Sequence, residues 1–362
     1  RKLMDLQGKK RIFAIAFALL LGSLGGYAAF ILRIPLPWMI GAMLVTTMAA
    51  LSGAPIAQAP PLRTAMIAVL GVMLGSGFSP EIVDSLGRWS VSLAAVALYI
   101  FVSTGLGYLY FNRICGHDSV TSYFSAAPGG LSEMTLVGTA MGGDERIISL
   151  MHTLRILLVV MTLPLAFRWF NGMGAANRPL PGPEFASLAL SDMAVLLASG
   201  VIGYYGARAL RIPAAAVVGP MVVSAAAHLS GLTSARPPFE LVAAAQIAVG
   251  AAIGARFSGT AISLVITSLK QALGATAILL AATLLFSLLL SYLIDQRLDA
   301  LVLAFAPGGL AEMSLIAIAL QADAAFVATH HILRIFLIVV LAPLAFRLLR
   351  GKRRAATESG EL

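Results

Sequence analysis

Charge is scarce in this chain. Only 11% of its 362 residues are Asp, Glu, Lys or Arg, against 59% hydrophobic, and the mean hydropathy is +0.92. An ordinary soluble domain carries about 25% charged residues, so this deficit excludes a soluble globular fold and points to a polytopic membrane protein. Cysteine is nearly missing as well: Cys115 stands alone, which excludes an intramolecular disulfide and a cysteine metal cluster. There are five histidines but no HExxH, no Cys/His cluster and no nucleotide or flavin fingerprint. Oxygen activation by a metal therefore lacks a recognisable ligand set. No cofactor is implied.

The charge that is present is unevenly spread. The net charge is +9, and ten of the 25 basic residues lie in two short terminal segments, Arg1, Lys2, Lys9, Lys10 and Arg11 at one end and Arg347, Arg350, Lys352, Arg353 and Arg354 at the other. Basic flanks hold helix ends on the cytoplasmic side and attract anionic headgroups. Neither tail is long enough for a helix-turn-helix, so direct nucleic-acid binding is not expected. These features imply the bacterial inner membrane, with both termini cytoplasmic and membrane lipid as a partner. The apolar run from Ile12 to Leu32 is long for a signal peptide. The start at Arg1 rather than Met predicts that a leader or tag has been trimmed.

What the chain has in abundance is apolar runs of membrane-crossing length, and it has them twice. A hydrocarbon core about 30 Å thick needs about 20 apolar residues as a helix. Candidate spans fall at 12–32, 37–53, 62–78, 89–111, 120–141, 146–169, 188–209, 213–231, 240–257, 271–294, 299–321 and 326–349. Residues 128–168 run from PGGLSEM to PLAFR, and 307–347 run from PGGLAEM to PLAFR at a constant offset of 179, with 20 of 41 positions identical. GSLGGYAAFILRIP at 22–35 recurs as GVIGYYGARALRIP at 200–213, LRIPLPWMIGAM at 32–43 as LRIPAAAVVGPM at 210–221, and GVMLGSGFS at 71–79 as GAAIGARFS at 250–258.

Nearly the whole chain thus reads as two copies of one helical unit, 1–180 and 181–362, joined by the Gly- and Pro-rich NGMGAANRPLPGPEF at 171–185. If each PGG segment crosses the membrane, a unit has six spans and the copies are parallel. If it dips in and returns, a unit has five and they are inverted. Basic residues in the non-terminal loops barely separate the two; inversion is the common arrangement in transporters with broken helices.

Pro128, Gly129 and Gly130, and likewise Pro307, Gly308 and Gly309, fall near the middle of an apolar helix. Proline lacks the amide donor and glycine is a poor helix former, so the helix breaks there. Irregular backbone at that depth survives only inside protein or beside a wet cavity, and a matched pair of such breaks points to a transporter's binding site. The half-helices after the breaks begin with free amides and a positive dipole end, suited to an anion or to the carboxylates of Glu133 and Glu312. Glu133, Asp144 and Arg155 lie 11 residues apart in turn, as do Glu312, Asp323 and Arg334. With each aspartate at a turn, glutamate and arginine reach the same level about 16 Å away, close to the midplane, and are predicted to pair. His152 and His331, three residues before the arginines, share their helix face. Charges at such depth normally pair or line a polar path.

Other residues carry less. Asp144 and Asp323 read as helix caps, and Arg33 and Arg211 as interfacial anchors. Lys270 reads as a loop residue and His330 as a packed neutral imidazole; His117 and His228 have no recognisable partner. Gly71 with Gly75 and Gly250 with Gly254 have the spacing of close helix packing.

The doubled PGGLxEM, followed by Asp, HxxRI and PLAFR, resembles the membrane AbrB-type duplication family over nearly the full chain. Members of that family carry the labels regulator of gene expression and ammonia monooxygenase, and are unrelated to the small soluble DNA-binding regulators of similar name. The residues favour neither DNA contact nor oxygen chemistry. They predict an all-α membrane protein of about ten to twelve spans in two repeats, each with a broken or re-entrant helix. The function expected is secondary transport of a small anionic solute, or an ion, at a midplane site. That site comprises Pro128, Gly129, Gly130, Glu133, His152 and Arg155 with Pro307, Gly308, Gly309, Glu312, His331 and Arg334. The alternative is a membrane sensor that affects gene expression indirectly, with a membrane monooxygenase as a third and less favoured reading. A homo-oligomer is compatible with each.

Overall fold

The computed structural model describes residues 2–78, 86–171 and 182–358. The expected boundary near 180 and most of the 171–185 linker lie outside them. Fourteen α-helices and no strand occur among the described residues. The first seven are α1 (Lys2–Ile31), α2 (Pro37–Leu51), α3 (Pro60–Gly75), α4 (Ser90–Leu109), α5 (Ser119–Ala126), α6 (Leu131–Ala140) and α7 (Glu145–Asn171). The second seven repeat their order: α8 (Leu190–Ala209), α9 (Ala215–Leu229), α10 (Phe239–Gly254), α11 (Ile262–Ser291), α12 (Leu298–Phe305), α13 (Leu310–Ala319) and α14 (Ala324–Glu358). Seven stretches, within α1, α4, α7, α8, α10, α11 and α14 and their flanks, are long and apolar enough to cross a bilayer.

Local chemistry sets the boundaries. Pro37 and Pro60 open α2 and α3, where the missing amide is harmless. Asp118 caps α5 by accepting from the amides of Val120 and Thr121. Asp144 caps α7 through the amides of Arg146 and Ile147, and Asp323 caps α14 through that of Phe326, as their positions predicted. The LRIP turns are built alike, with Arg33 and Leu36 in one and Arg211 and Ala214 in the other at positive φ. Both arginines are exposed.

Two expectations need correction. The apolar stretches 120–141 and 299–321 are not single spans: each divides into two short helices, α5 with α6 and α12 with α13. The stretch expected at 271–294 begins earlier, at Ile262, so Lys270 lies exposed on α11 rather than in a loop. Polar residues at a helix end do not stop a helix whose other face is packed.

α1–α3 and α8–α10 interlock as one scaffold. A Cβ at Gly71 would meet Val217, and one at Gly75 would meet Met221; Gly250 faces Met39 and Gly254 faces Met43 in the same way. These small residues let helix backbones touch, as their spacing predicted. The contacts also fix direction. α3 runs parallel to α9, and α10 parallel to α2. Leu62 and Arg63, at the start of α3, share a small cleft with Ala248, Ala251 and Ala252 near the end of α10, so α3 and α10 are antiparallel. It follows that α2 and its counterpart α9 point in opposite directions, which is the inverted arrangement.

Candidate functional site: two re-entrant hairpins

The short helix pairs turn back on themselves. The amide of Asp144, which follows α6, donates to Thr121 Oγ1 at the start of α5 at 2.9 Å. In the other half Arg297, just before α12, donates to the carbonyl of Gln321, just after α13, at 2.9 Å. The beginning and end of each pair therefore lie at one level, and the Pro-Gly-Gly break is the hairpin's tip.

The break strands main-chain carbonyls at the end of α5 and of α12, because no helix follows to supply the i+4 amides. The long helix that follows each hairpin supplies the missing donors. Arg155 on α7 donates to the carbonyls of Ala127 and Gly129 at 3.1 and 3.2 Å. Arg334 on α14 donates to those of Ala306 and, at 2.6 Å, Gly308. One turn earlier, His152 Nε2 bonds the carbonyl of Phe124 at 2.8 Å and His331 Nε2 that of Leu303 at 2.9 Å. A cation at a helix C-terminus also complements the negative dipole end.

The predicted direct pairing of glutamate with arginine does not occur. Among the described residues the one ion pair within 4.0 Å is Arg297 with Asp299. The carboxylates instead fold back over the start of their own half-helix. Gly130 and Gly309 are the N-cap residues, Glu133 and Glu312 stand three positions on, and a Cβ on either glycine would overlap the glutamate's Oε2. This is the position from which a carboxylate reaches the cap amide. Matching opposite charges by level overlooked main-chain carbonyls as partners for arginine.

The guanidinium groups are buried, Arg155 5% and Arg334 3% exposed, within electrostatic reach of Tyr99, and Arg155 also of Arg334. Each keeps a buried Nε with no hydrogen-bond partner among the described residues. His331 has a fixed tautomer: its Nε2 must donate to a carbonyl, and its Nδ1 accepts from Arg334 Nη2 at 2.9 Å. It is a neutral positioning group in this arrangement. His330 is also packed, against Phe326 O and Ser92 Oγ. His117 and His228 do have partners, Gln271 for the first and the carbonyls of Ser224 and Ala235 for the second.

The hairpins differ in surroundings. Glu312 is 7% exposed, and its neighbours Ala311 and Leu315 are 6% and 2% exposed. Leu310 packs with Leu74, Val217 and Met221 of the scaffold. In the first hairpin Glu133 is half-buried, Ser132 is exposed and Leu136 is 73% exposed. Its Met134 and Phe124 pack with Ile338 and Phe346 of α14 instead.

Sequence reasoning missed Tyr99, whose hydroxyl meets Thr283 Oγ1 at 3.0 Å in the buried centre. It also missed Arg256, which stands beside a cavity of about 620 Å³ between the start of α7 and the turn from α10 to α11. None of the Pro-Gly-Gly residues lines that cavity. A signal for Arg256 existed: it is the arginine in GAAIGARFS where the first copy has glycine.

Apolar helices around two re-entrant hairpins, each capped by a buried arginine, define an integral membrane protein with paired broken-helix tips. Residues 38–350 match the AbrB family, described as "Transition state regulatory protein AbrB", and the chain belongs to that family. It is 27% identical to "Uncharacterized protein YhjN" of Bacillus subtilis (strain 168), with 91% of each chain covered. It is 26% identical to "Putative regulator AbrB" of Escherichia coli (strain K12), covering 86% of this chain and 89% of the relative.

Proposed function

We propose that this protein is a secondary transporter of a small anionic solute, with its site at the facing hairpin tips. One observation carries the reading: two buried guanidinium groups with no carboxylate partner among the described residues stand at the tips of two re-entrant hairpins. A buried cation is costly unless paired. Carbonyl oxygens and helix dipoles offset part of that cost, and a bound anion would offset the rest. Glu133 and Glu312, at the starts of the second half-helices, are the candidate proton or cation carriers. The different burial of the two hairpins supports a state open towards one side, which inverted halves can exchange for its opposite. If the shorter helices α2, α3 and α9 cross as well as the seven long ones, each half makes five passes and both termini share one side; the basic ends favour the cytoplasmic face of an inner membrane.

The test is electrical. Proteoliposomes on a solid-supported membrane are challenged with pools of small organic acids and amines, with and without a pH gradient, beside the double Glu133→Gln, Glu312→Gln variant. A solute-dependent current lost in the folded variant is the expected result. Silence in both current and tracer exchange would favour a second reading, a membrane sensor acting on gene expression indirectly, which the name of the Escherichia coli relative favours.

A further inference from the structure

The cavity beside α7 has a polar α7 wall, whereas the corresponding stretch of α14 is apolar. Ser149 and Thr153 form one wall, and Arg256 and Thr260 the other, with Glu145 and Arg146 exposed at the mouth. Thr153 is 3% exposed and lies eight residues along α7 from Glu145, so the cavity runs inward about 12 Å and ends at Thr153. In the other half the positions 179 residues from Ser149, Thr153 and Arg256 are Ala328, Ile332 and Gly77, and that of Thr260 is Glu81, outside the described residues. There Ala328 is fully buried, and it and Ile332 pack with Leu74 and Val217 rather than face a polar cavity wall.

Arg256 is half-buried and makes no hydrogen bond or ion pair among the described residues. Its electrostatic neighbours are Arg63 and, on the second hairpin, Glu312. The opposite charges at the mouth largely cancel, which leaves the cavity positive at its guanidinium. Polar groups at such depth persist where they line a wet path. The volume falls within the ~300–1,000 Å³ of small-molecule sites.

We propose that this cavity is an oxyanion site on the access path to the hairpins. Arg256 takes a carboxylate or phosphate group through its planar fork. Ser149 and Thr260 add hydroxyl donors, while the Thr153 hydroxyl is held by the carbonyl of Ser149. The place on an access path rests on the transport reading; the binding of an oxyanion does not. A free solute and a lipid headgroup share this chemistry, and the test separates them.

The full chain in phosphatidylcholine nanodiscs is titrated calorimetrically with acetate, succinate and inorganic phosphate at constant ionic strength. Arg256→Gln, Arg256→Lys and Arg256→Gly are compared after circular dichroism and thermal unfolding confirm their fold. Saturable binding of at least one anion is expected, weakened about ten- to a hundredfold in Arg256→Gln and Arg256→Gly and less in Arg256→Lys. Equal affinity in wild type and Arg256→Gln, or no saturable binding in wild type, overturns the site. Phosphatidylglycerol nanodiscs form the second arm. Anionic lipid retained by wild type and lost in Arg256→Gln, with free anions ignored, overturns the solute assignment in favour of a headgroup. Binding that depends on Arg256 without any current keeps the oxyanion site and removes the transport reading.

Discussion

Replacing Arg334 by Met asks how much of this fold rests on one side chain. The substitution keeps the length and apolar stem but deletes the donors to the carbonyls of Ala306 and Gly308 and to His331 Nδ1. An unsatisfied buried acceptor costs about 1–3 kcal/mol, so two carbonyls cost about 2–6 kcal/mol. Removing a buried cation recovers part of its own desolvation, and membrane hydrogen bonds average nearer 0.6 kcal/mol because the unfolded state in lipid also finds partners. The net expectation is a loss of about 2–4 kcal/mol. Arg155→Met should cost less, because it removes two such bonds rather than three and the Gly129 carbonyl is only partly buried. Arg334→Lys, which can reach one carbonyl at a time, should fall between wild type and Arg334→Met. Reversible unfolding in mixed micelles measures all three. Stability within about 0.5 kcal/mol of wild type for Arg334→Met would refute the capping argument, as would a lysine variant no better than methionine.

Two further outcomes follow from packing. A Cβ at Gly219 would strike the Gly203 carbonyl, whereas one at Gly206 meets nothing within 4 Å. Gly219→Ala should therefore destabilise by about 1–3 kcal/mol and Gly206→Ala should stabilise by up to about 1 kcal/mol; the same micelle unfolding reads both, and equal effects would undo the close-approach reading. With Cys115 replaced by Ser, a cysteine at Ser149 on the cavity wall should react with a membrane-impermeant maleimide, while one at fully buried Ala328 should not. Equal labelling would mean that the two halves are equally open.

The breaks, the aspartate caps and the shared face of His152 with Arg155 were legible because each depends on a residue's own chemistry at a fixed spacing. Arg155 does reach the tip of its hairpin, 11 residues from Asp144, as helix rise requires. Its partner was not legible. Residue letters show carboxylates and guanidiniums but not the carbonyls that a Pro-Gly-Gly break sets free, so spacing alone matches the arginine to the glutamate. Arg256 was not legible for a different reason: it stands outside the duplicated pattern, at a position where the first half has Gly77.

Hydropathy, proline and glycine set the solvent, the helical class and where the helices break, since they act over a few residues in any context. Whether each broken segment crosses or returns, and hence whether the halves are parallel or inverted, depended on contacts between residues far apart in the chain. Thr121 with Asp144, and Gly71 with Val217, decided it. So did the difference between the hairpins. Glu133 and Glu312 sit in the same motif, but α13 packs on the scaffold through Leu310 whereas α6 packs towards α14. Burial belongs to the neighbours that tertiary structure brings, and a local motif cannot carry it.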